Sequence, residues 1–336
     1  MRIALDAMGG DHGPAVVVAA AAAVLERQPD LELVLVGVEE SVSSALEHQG
    51  LSGHPRVSVR AASQVVDAED DVSNALRSKR DSSIHVGSKL CREGEADGFV
   101  SAGNTGALMA ISRFILKTLP GIDRPAIATF LPTTSGQVLM LDLGANVDCQ
   151  SEHLFQFAVM GEVAARTVYS TDQPSIGLLN IGEEHIKGND VVKVAGQLLR
   201  ESTLNYIGNI EGRDIFAGKA DVVVADGFVG NVALKTSEGT AELIGHFMKA
   251  SFHASLPARL AGLVAAPVLK RLKRRVDHRE YNGAMLLGLN GIVVKSHGSA
   301  DAHAFSRAIE VAASEARHNL NRRITHELQS MLDEAG

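Results

Sequence analysis

The sequence predicts an α/β protein built on a mostly parallel sheet with helices on both faces. Three observations point there. Short apolar, β-branched runs without alternation, such as Val222, Val223, Val224 and Ala225, read as strands buried on both sides. Helical patterns follow nearly every such run, and that alternation implies parallel pairing through crossovers. The chain turns between them on Gly, Asn and Asp, the residues that tight loops require.

Residues 3–5 read as the first strand and residues 6–14 as its loop, with Pro14 where a first helical residue should stand. Residues 15–25 follow as a buried, Ala-rich helix; the run falls short of the ~20 residues of a membrane span. Residues 31–36 are a strand, 41–48 a helix and 57–59 a strand. An acidic loop at 67–71 and a polar, basic stretch at 74–81 precede a helix at 83–92. A strand at 98–102 leads through Gly103, Asn104, Thr105 and Gly106 into a helix at 107–116. Strands at 126–131 and 137–142 flank a turn at 133–136, and Gly144, Ala145 and Asn146 end the second. A helix at 156–169, a strand at 175–180, a loop at 182–190 and a helix from Val191 come next, then a strand-like piece at 205–208. Beyond the strand at 222–225, Asp226 and Gly227 break the run, and Asn231 is the expected N-cap of a helix from about Val232. A strand at 291–294, a loop at 295–299 and a helix at 302–319 close the pattern. A small antiparallel edge is expected at 205–213 or 129–141. With no repeat or linker, residues 1–336 are expected to form one unit.

The chain is 45% hydrophobic and 21% charged, an ordinary composition for a soluble globular protein with a large core. Aromatics are scarce, Trp is absent and the formal net charge is −8, which argues against nucleic-acid binding. Cys91 and Cys149 stand alone, as suits a reduced compartment rather than a disulfide framework. No targeting pattern is evident, so the cytoplasm is the expected location.

In open α/β sheets ligands bind beyond the carboxyl ends of strands. Six segments put Gly, Asn, Asp, Lys or His there: 6–13, 103–106, 144–148, 182–189, 226–231 and 295–299. Together they are expected to gather at one rim into an anion pocket. The 103–106 loop offers helix-start N–H groups, yet it lacks the Gly-Lys-Ser/Thr ending of a phosphate-binding P-loop and the Gly-x-Gly-x-x-Gly of a dinucleotide site. Lys187, before Gly188, could meet a phosphate as a point charge. Asp226 could orient a neighbouring Lys or Asn, or cap a turn. His12, His185 and His297 have no second His or Cys at ligand spacing, so no metal is expected. Neither cysteine has a nucleophile motif, and no Gly-x-Ser-x-Gly elbow is present. Residues 256–275 differ from the rest: Leu256, Leu260, Leu263, Val264, Val268, Leu269 and Leu272 make an apolar face interrupted by Pro267. Lys270, Arg271, Lys273, Arg274 and Arg275 cluster behind it. That suits an amphipathic helical hairpin of about residues 252–278 on an anionic membrane, an acidic partner, or a dimer interface.

Taken in order, Asp6-Ala7-Met8-Gly9-Gly10-Asp11, Gly103-Asn104-Thr105-Gly106-Ala107, Asp142-Leu143-Gly144-Ala145-Asn146, Asn180-Ile181-Gly182-Glu183-Glu184 with Lys187-Gly188, Asp226-Gly227-Phe228-Val229-Gly230-Asn231 and His297-Gly298 resemble the PlsX family. These are the bacterial phosphate acyltransferases of phospholipid synthesis. The resemblance spans essentially the whole chain. It implies a three-layer α/β/α fold like that of isocitrate and isopropylmalate dehydrogenases and of phosphotransacetylases. It implies reversible transfer of a long-chain acyl group from acyl-acyl carrier protein to inorganic phosphate, with no cofactor. It implies a homodimer, peripheral contact with the inner face of the cell membrane through the segment at 256–275, and delivery to the membrane glycerol-3-phosphate acyltransferase PlsY. On this reading Lys187 and Asn231 hold phosphate and developing charge, and Asp226 fixes one of them. Gly103, Asn104, Thr105, Gly106, Asn146, Gly188, Gly230 and His297 line the substrate site, with Asn104 and Asn146 orienting the thioester. The basic groups at 270–275, or Arg77, Lys79 and Arg80, steer the acidic carrier protein. Three rivals stay open: a decarboxylating dehydrogenase, a membrane-surface adaptor, and a phosphotransacetylase acting on acyl-CoA.

Overall fold

The computed structural model describes residues 1–169 and 171–334, without the side chains of residues 169, 273–276, 278 and 332–334. In chain order the elements are β1 (Arg2–Asp6), α1 (Gly13–Arg27), β2 (Glu32–Gly37), α2 (Glu39–His48), β3 (Val57–Ala61), α3 (Val72–Ser78), α4 (Ser83–Arg92), β4 (Gly98–Ser101), α5 (Thr105–Leu116), β5 (Ala126–Pro132), β6 (Gln137–Leu141), α6 (Ser151–Tyr169) and β7 (Ile176–Leu179). There follow α7 (Asp190–Glu201), β8 (Tyr206–Ile210), α8 (Gly212–Ala217), β9 (Val222–Val224), α9 (Gly227–His253), α10 (Leu256–Val276), a 3-10 turn (His278–Tyr281), β10 (Ala284–Leu287), β11 (Ile292–Lys295), α11 (Ala302–Arg317) and α12 (Leu320–Glu334).

One eleven-stranded sheet runs β3-β2-β1-β4-β11-β10-β5-β6-β9-β7-β8. Its central strands are apolar because both faces are covered. Successive side chains point to opposite faces. Ala4, Phe99, Val293, Ile127, Met140 and Val223 pack on one side with Ile84 of α4, Leu108 and Ile111 of α5, Ile215 of α8 and, at its edge, Ala233 and Leu234 of α9. Their neighbours Ile3, Leu5, Val100 and Val294 face α1 and α11 through Val17, Val24, Phe305 and Ile309. Met285, Ala128, Leu139, Leu141, Val222 and Val224 face α6, α7 and α12 through Phe157, Leu199 and Ile324. The fold is therefore the α/β/α sandwich the sequence predicts.

The sheet is not parallel throughout. β10 is antiparallel to both β11 and β5, and β5 is antiparallel to β6. So β1–β4, β11 and β5 run one way, and β10, β6, β9, β7 and β8 run the other. The antiparallel piece expected at 129–141 exists, at the centre of the sheet rather than at an edge; β8 is the edge strand and is parallel to β7. Helix α9 begins at Gly227, earlier than expected, because the Asp226 carboxylate caps it by accepting from the Val229 N–H at 2.9 Å. Asn231 thus lies inside the helix and is not its cap. Pro267 sits within α10 without ending it.

Candidate active site: two switch points on opposite rims

All six Gly-rich segments do lie beyond carboxyl ends of strands. Because strand direction reverses three times, between β11 and β10, β10 and β5, and β5 and β6, they occupy two rims and not the single rim expected. The segments after β1, β4 and β11 share one rim; those after β6, β7 and β9 share the other. Each rim has a topological switch point, where consecutive crossovers depart in opposite directions and a crevice opens. The first lies between β1 and β4, the second between β9 and β7.

At the first switch point Asp6 is buried at the end of β1. Its carboxylate accepts from the Met8 and Gly9 N–H groups, each at 3.1 Å, and from the Ser101 hydroxyl at 2.6 Å. Burial pushes its pKa up, and those bonds oppose the shift. Ser101 in turn accepts from the Gly103 N–H at 3.0 Å, so one carboxylate sets both loops. The loops touch: a Cβ on Gly9 would sit 2.6 Å from the Gly103 nitrogen, and one on Gly10 2.8 Å from the Gly298 oxygen. Only glycine permits that approach. Asn104 caps α5 by accepting from the Ala107 N–H at 3.0 Å, and its amide donates to the Ala68 carbonyl at 2.8 Å. Its side chain is therefore spent on structure. Thr105 and Gly106 are exposed in the first turn of α5. His297 is exposed, its Nδ1 2.9 Å from the Ser299 hydroxyl, while its N–H donates to the Asn282 Oδ1 at 2.9 Å.

Lys295, at the end of β11, was hidden in the sequence as one member of a loop. Its ammonium donates to the Ala102 carbonyl at 3.3 Å and to the Ser296 carbonyl. Burial lowers its pKa to about 8; Asp6 and Asp11 oppose the shift, and Lys235 on α9 adds to it.

The second rim repeats the device. Asp142, fully buried beyond β6, accepts from the N–H groups of Ile127 at 2.9 Å, Ala145 at 3.1 Å and Asn146 at 2.8 Å, and from the Asn146 amide at 2.9 Å. Burial raises its pKa against these bonds. The Asn146 amide also donates to the Pro125 carbonyl at 2.7 Å, so both its N–H groups are taken. The start of α9 seats on this loop. The Gly227 N–H donates to the Asn146 carbonyl at 2.8 Å, and a Cβ on Gly230 would come within 1.9 Å of the Asp142 carbonyl oxygen. Asn231 is exposed next to Gly144, and a Cβ there would lie 3.5 Å from Asn231. Lys187 is exposed in the loop after β7, with no ion pair among the described residues; Gly188 takes φ +86° over the Asn180 amide. Asp226 caps α9 and, among the described residues, makes no hydrogen bond to Lys187 or Asn231.

One helix ties the rims together. α9 starts at the second switch point, packs Ala233 and Leu234 on the core, and carries Lys235, whose charge acts on Lys295 at the first. Asn231 and Lys235 stand one helical turn apart on it. Both thiols are protonated at neutral pH: burial pushes Cys91 up to about 12 and Cys149 up to about 11. Past the core α9 and α10 pack on each other, exposing Leu243, Ile244, Phe247, Leu260, Leu263 and Val264. Lys270 and Arg271 are exposed and Leu269 half-buried; the side chains of Lys273 and Arg274 lie outside those described. Among the described residues no helix is long and apolar enough to cross a membrane.

The family profile described as "Fatty acid synthesis protein" matches residues 1–323. A curated protein named phosphate acyltransferase from Alkalilimnicola ehrlichii is 60% identical over 332 residues, covering 99% of this chain and 97% of its own. Another of that name from Halorhodospira halophila is 58% identical, with 99% and 97% covered. Among solved structures, a branched-chain phosphotransacylase from Enterococcus faecalis superposes with a TM-score of 0.62 at 14% identity, covering 94% of this chain and 99% of its own. A phosphotransacetylase from Streptococcus pyogenes gives 0.60 at 21%, with 94% of each covered. These structures share the fold.

Proposed function

The chain belongs to the fatty acid synthesis protein family, that of the phosphate acyltransferases, and from that premise we propose that it moves a long-chain acyl group reversibly from acyl-acyl carrier protein to inorganic phosphate. It is an acyltransferase, and phosphate is the acceptor its relatives' name specifies. The observation that carries the reading is the match of residues 1–323 to this family and to relatives whose name makes phosphate the acceptor, and the cysteines are consistent with it. Both cysteines are held as thiols, and only the thiolate attacks. Phosphate supplies the attacking oxygen itself.

One phosphate oxygen forms a bond to the thioester carbonyl carbon. The resulting oxyanion collapses, the C–S bond breaks, and the carrier leaves as a thiolate that takes up a proton. The protein's work is to hold an anion against a carbonyl, where positioning can be worth up to ~10⁵–10⁸ M in effective concentration. Lys187 and Asn231 flank the second switch point and hold phosphate and the developing charge there. The amides of Asn104 and Asn146 are committed within the protein, so these residues shape the loops rather than hold the thioester. Asp226 acts by fixing the start of α9, and with it Asn231. Gly230 and Gly188 permit the close approaches, and His297 borders the first loop cluster.

Partners follow from the surface. The exposed apolar row on α9 and α10, with Lys270 and Arg271 beside it, suits an anionic membrane surface at the inner face of the cell membrane. A homodimer and hand-over of acyl phosphate to PlsY complete the proposal. Purified protein incubated with palmitoyl-carrier protein and phosphate should lose thioester and form acyl phosphate, trapped as a hydroxamate. Equal or faster turnover with palmitoyl-CoA would instead mark a phosphotransacetylase.

A further inference from the structure

We propose that Lys295 and Lys235 form a second anion site at the first switch point, separate from Lys187 and Asn231, which takes a phosphate-type oxyanion. The inference rests on the acyl-transfer reading for its role, though not for its existence. Lys295 has three N–H donors. Two reach the Ala102 and Ser296 carbonyls, and the third has no partner among the described residues. Those carbonyls fix the ammonium at the mouth of the two touching loops, beside the Gly103 turn and the first turn of α5. The charged groups facing it are Asp6 and Asp11 from the first strand and its loop, and Lys235 from α9. Asp6 is already consumed by two N–H groups and a hydroxyl. Lys235 brings a second cation toward the first, a repulsive arrangement that an anion between them would relieve. Its partner in the protein, Glu238 at 2.8 Å, is one turn on along the same helix, and Lys235 itself is about half exposed, so the pair is weak and exchangeable.

Two sources share the chemistry: substrate phosphate, and the phosphodiester that joins a carrier protein to its thiol arm. The site lies on the opposite rim from Asn231, linked by about one helical turn plus two lysine side chains. That is a reach suited to one extended ligand or to two anions bound together.

The test is calorimetric titration of the full chain with inorganic phosphate. Two phosphates per chain are expected. Lys235→Met, a change on an exposed part of α9, should weaken one of them roughly tenfold or more; Lys187→Ala should weaken the other. Lys295→Met should abolish the first site, with circular dichroism checking that it folds. In the wild type, first-site binding should fade as pH rises through about 8. In Lys235→Met the fade should move to higher pH, because the neighbouring positive charge is gone. Displacement of the first-site phosphate by acyl-carrier protein assigns the site to the donor's phosphodiester; persistence assigns it to substrate phosphate. A single phosphate per chain that Lys235→Met and Lys295→Met leave untouched overturns the proposal. A chain that binds two phosphates yet forms no acyl phosphate would instead sink the acyl-transfer reading and leave this site standing.

Discussion

Replacing Asp142 by Asn should unfasten the second rim. The substitution is nearly isosteric, so packing is preserved and only hydrogen bonding changes. The carboxylate accepts four N–H groups, two on each oxygen: Ile127 and Ala145 on Oδ1, and the Asn146 backbone and amide on Oδ2. An asparagine keeps one oxygen and turns the other into a donor. Whichever way it settles, two buried donors lose their acceptor and face another donor. Each costs about 1–3 kcal/mol, for a total of roughly 2–6 kcal/mol. Relief of a buried charge offsets part of this, so at least ~1 kcal/mol should remain, a sizeable share of the ~5–15 kcal/mol that holds a typical domain. Urea unfolding followed by circular dichroism gives the change directly. Because the start of α9 sits on this loop, acyl transfer should fall with stability. A loss below about 1 kcal/mol would refute the idea that this carboxylate organises the rim.

Other outcomes can be checked alongside it. Gly230→Ala puts a Cβ where the Asp142 carbonyl oxygen stands, 1.9 Å away, so α9 must lift from β6 at a cost of about 3 kcal/mol, read as a lower urea midpoint. Lys187→Ala should cut turnover by roughly 10²-fold or more with no change in unfolding, since its side chain is exposed and has no ion pair among the described residues. Lys295 has a folded pKa lowered to about 8 by burial, so between there and its ordinary value near 10.5 the unfolded chain binds the extra proton. Raising pH across that window should therefore stabilise the wild type relative to Lys295→Met. If carrier protein is steered by charge, its apparent KM should rise with salt. Lys270 and Arg271 should then matter more than Lys79, which Asp70 and Asp67 already neutralise.

Much of the strand–helix alternation was legible because buried strands are apolar without alternation and their helices repeat every three to four residues. Helix α4 (Ser83–Arg92) falls where its spacing puts it. Short elements escaped: α3, α8 and β10 offer too few residues for a period. α12 escaped because its apolar positions, Leu320, Ile324 and Leu328, are diluted by polar ones. The six loops were legible as loops after strands. Their division between two rims was not, since strand direction depends on the non-local pairings of β10 with β5 and β11. Asp6 and Asp142 carried a signal in hindsight: each ends an apolar strand and accepts N–H bonds from the glycine-containing turn that follows. Lys295 gave no signal, because its importance comes from Lys235, sixty residues away in the chain.

The sharpest single measurement is rapid-quench release of carrier thiol from palmitoyl-carrier protein, with and without phosphate. Direct attack by phosphate predicts no release without it and no burst with it, the thiol appearing in step with acyl phosphate from the first turnover. A stoichiometric burst in the absence of phosphate would mean that the protein takes the acyl group onto itself, and would contradict phosphate as the attacking group.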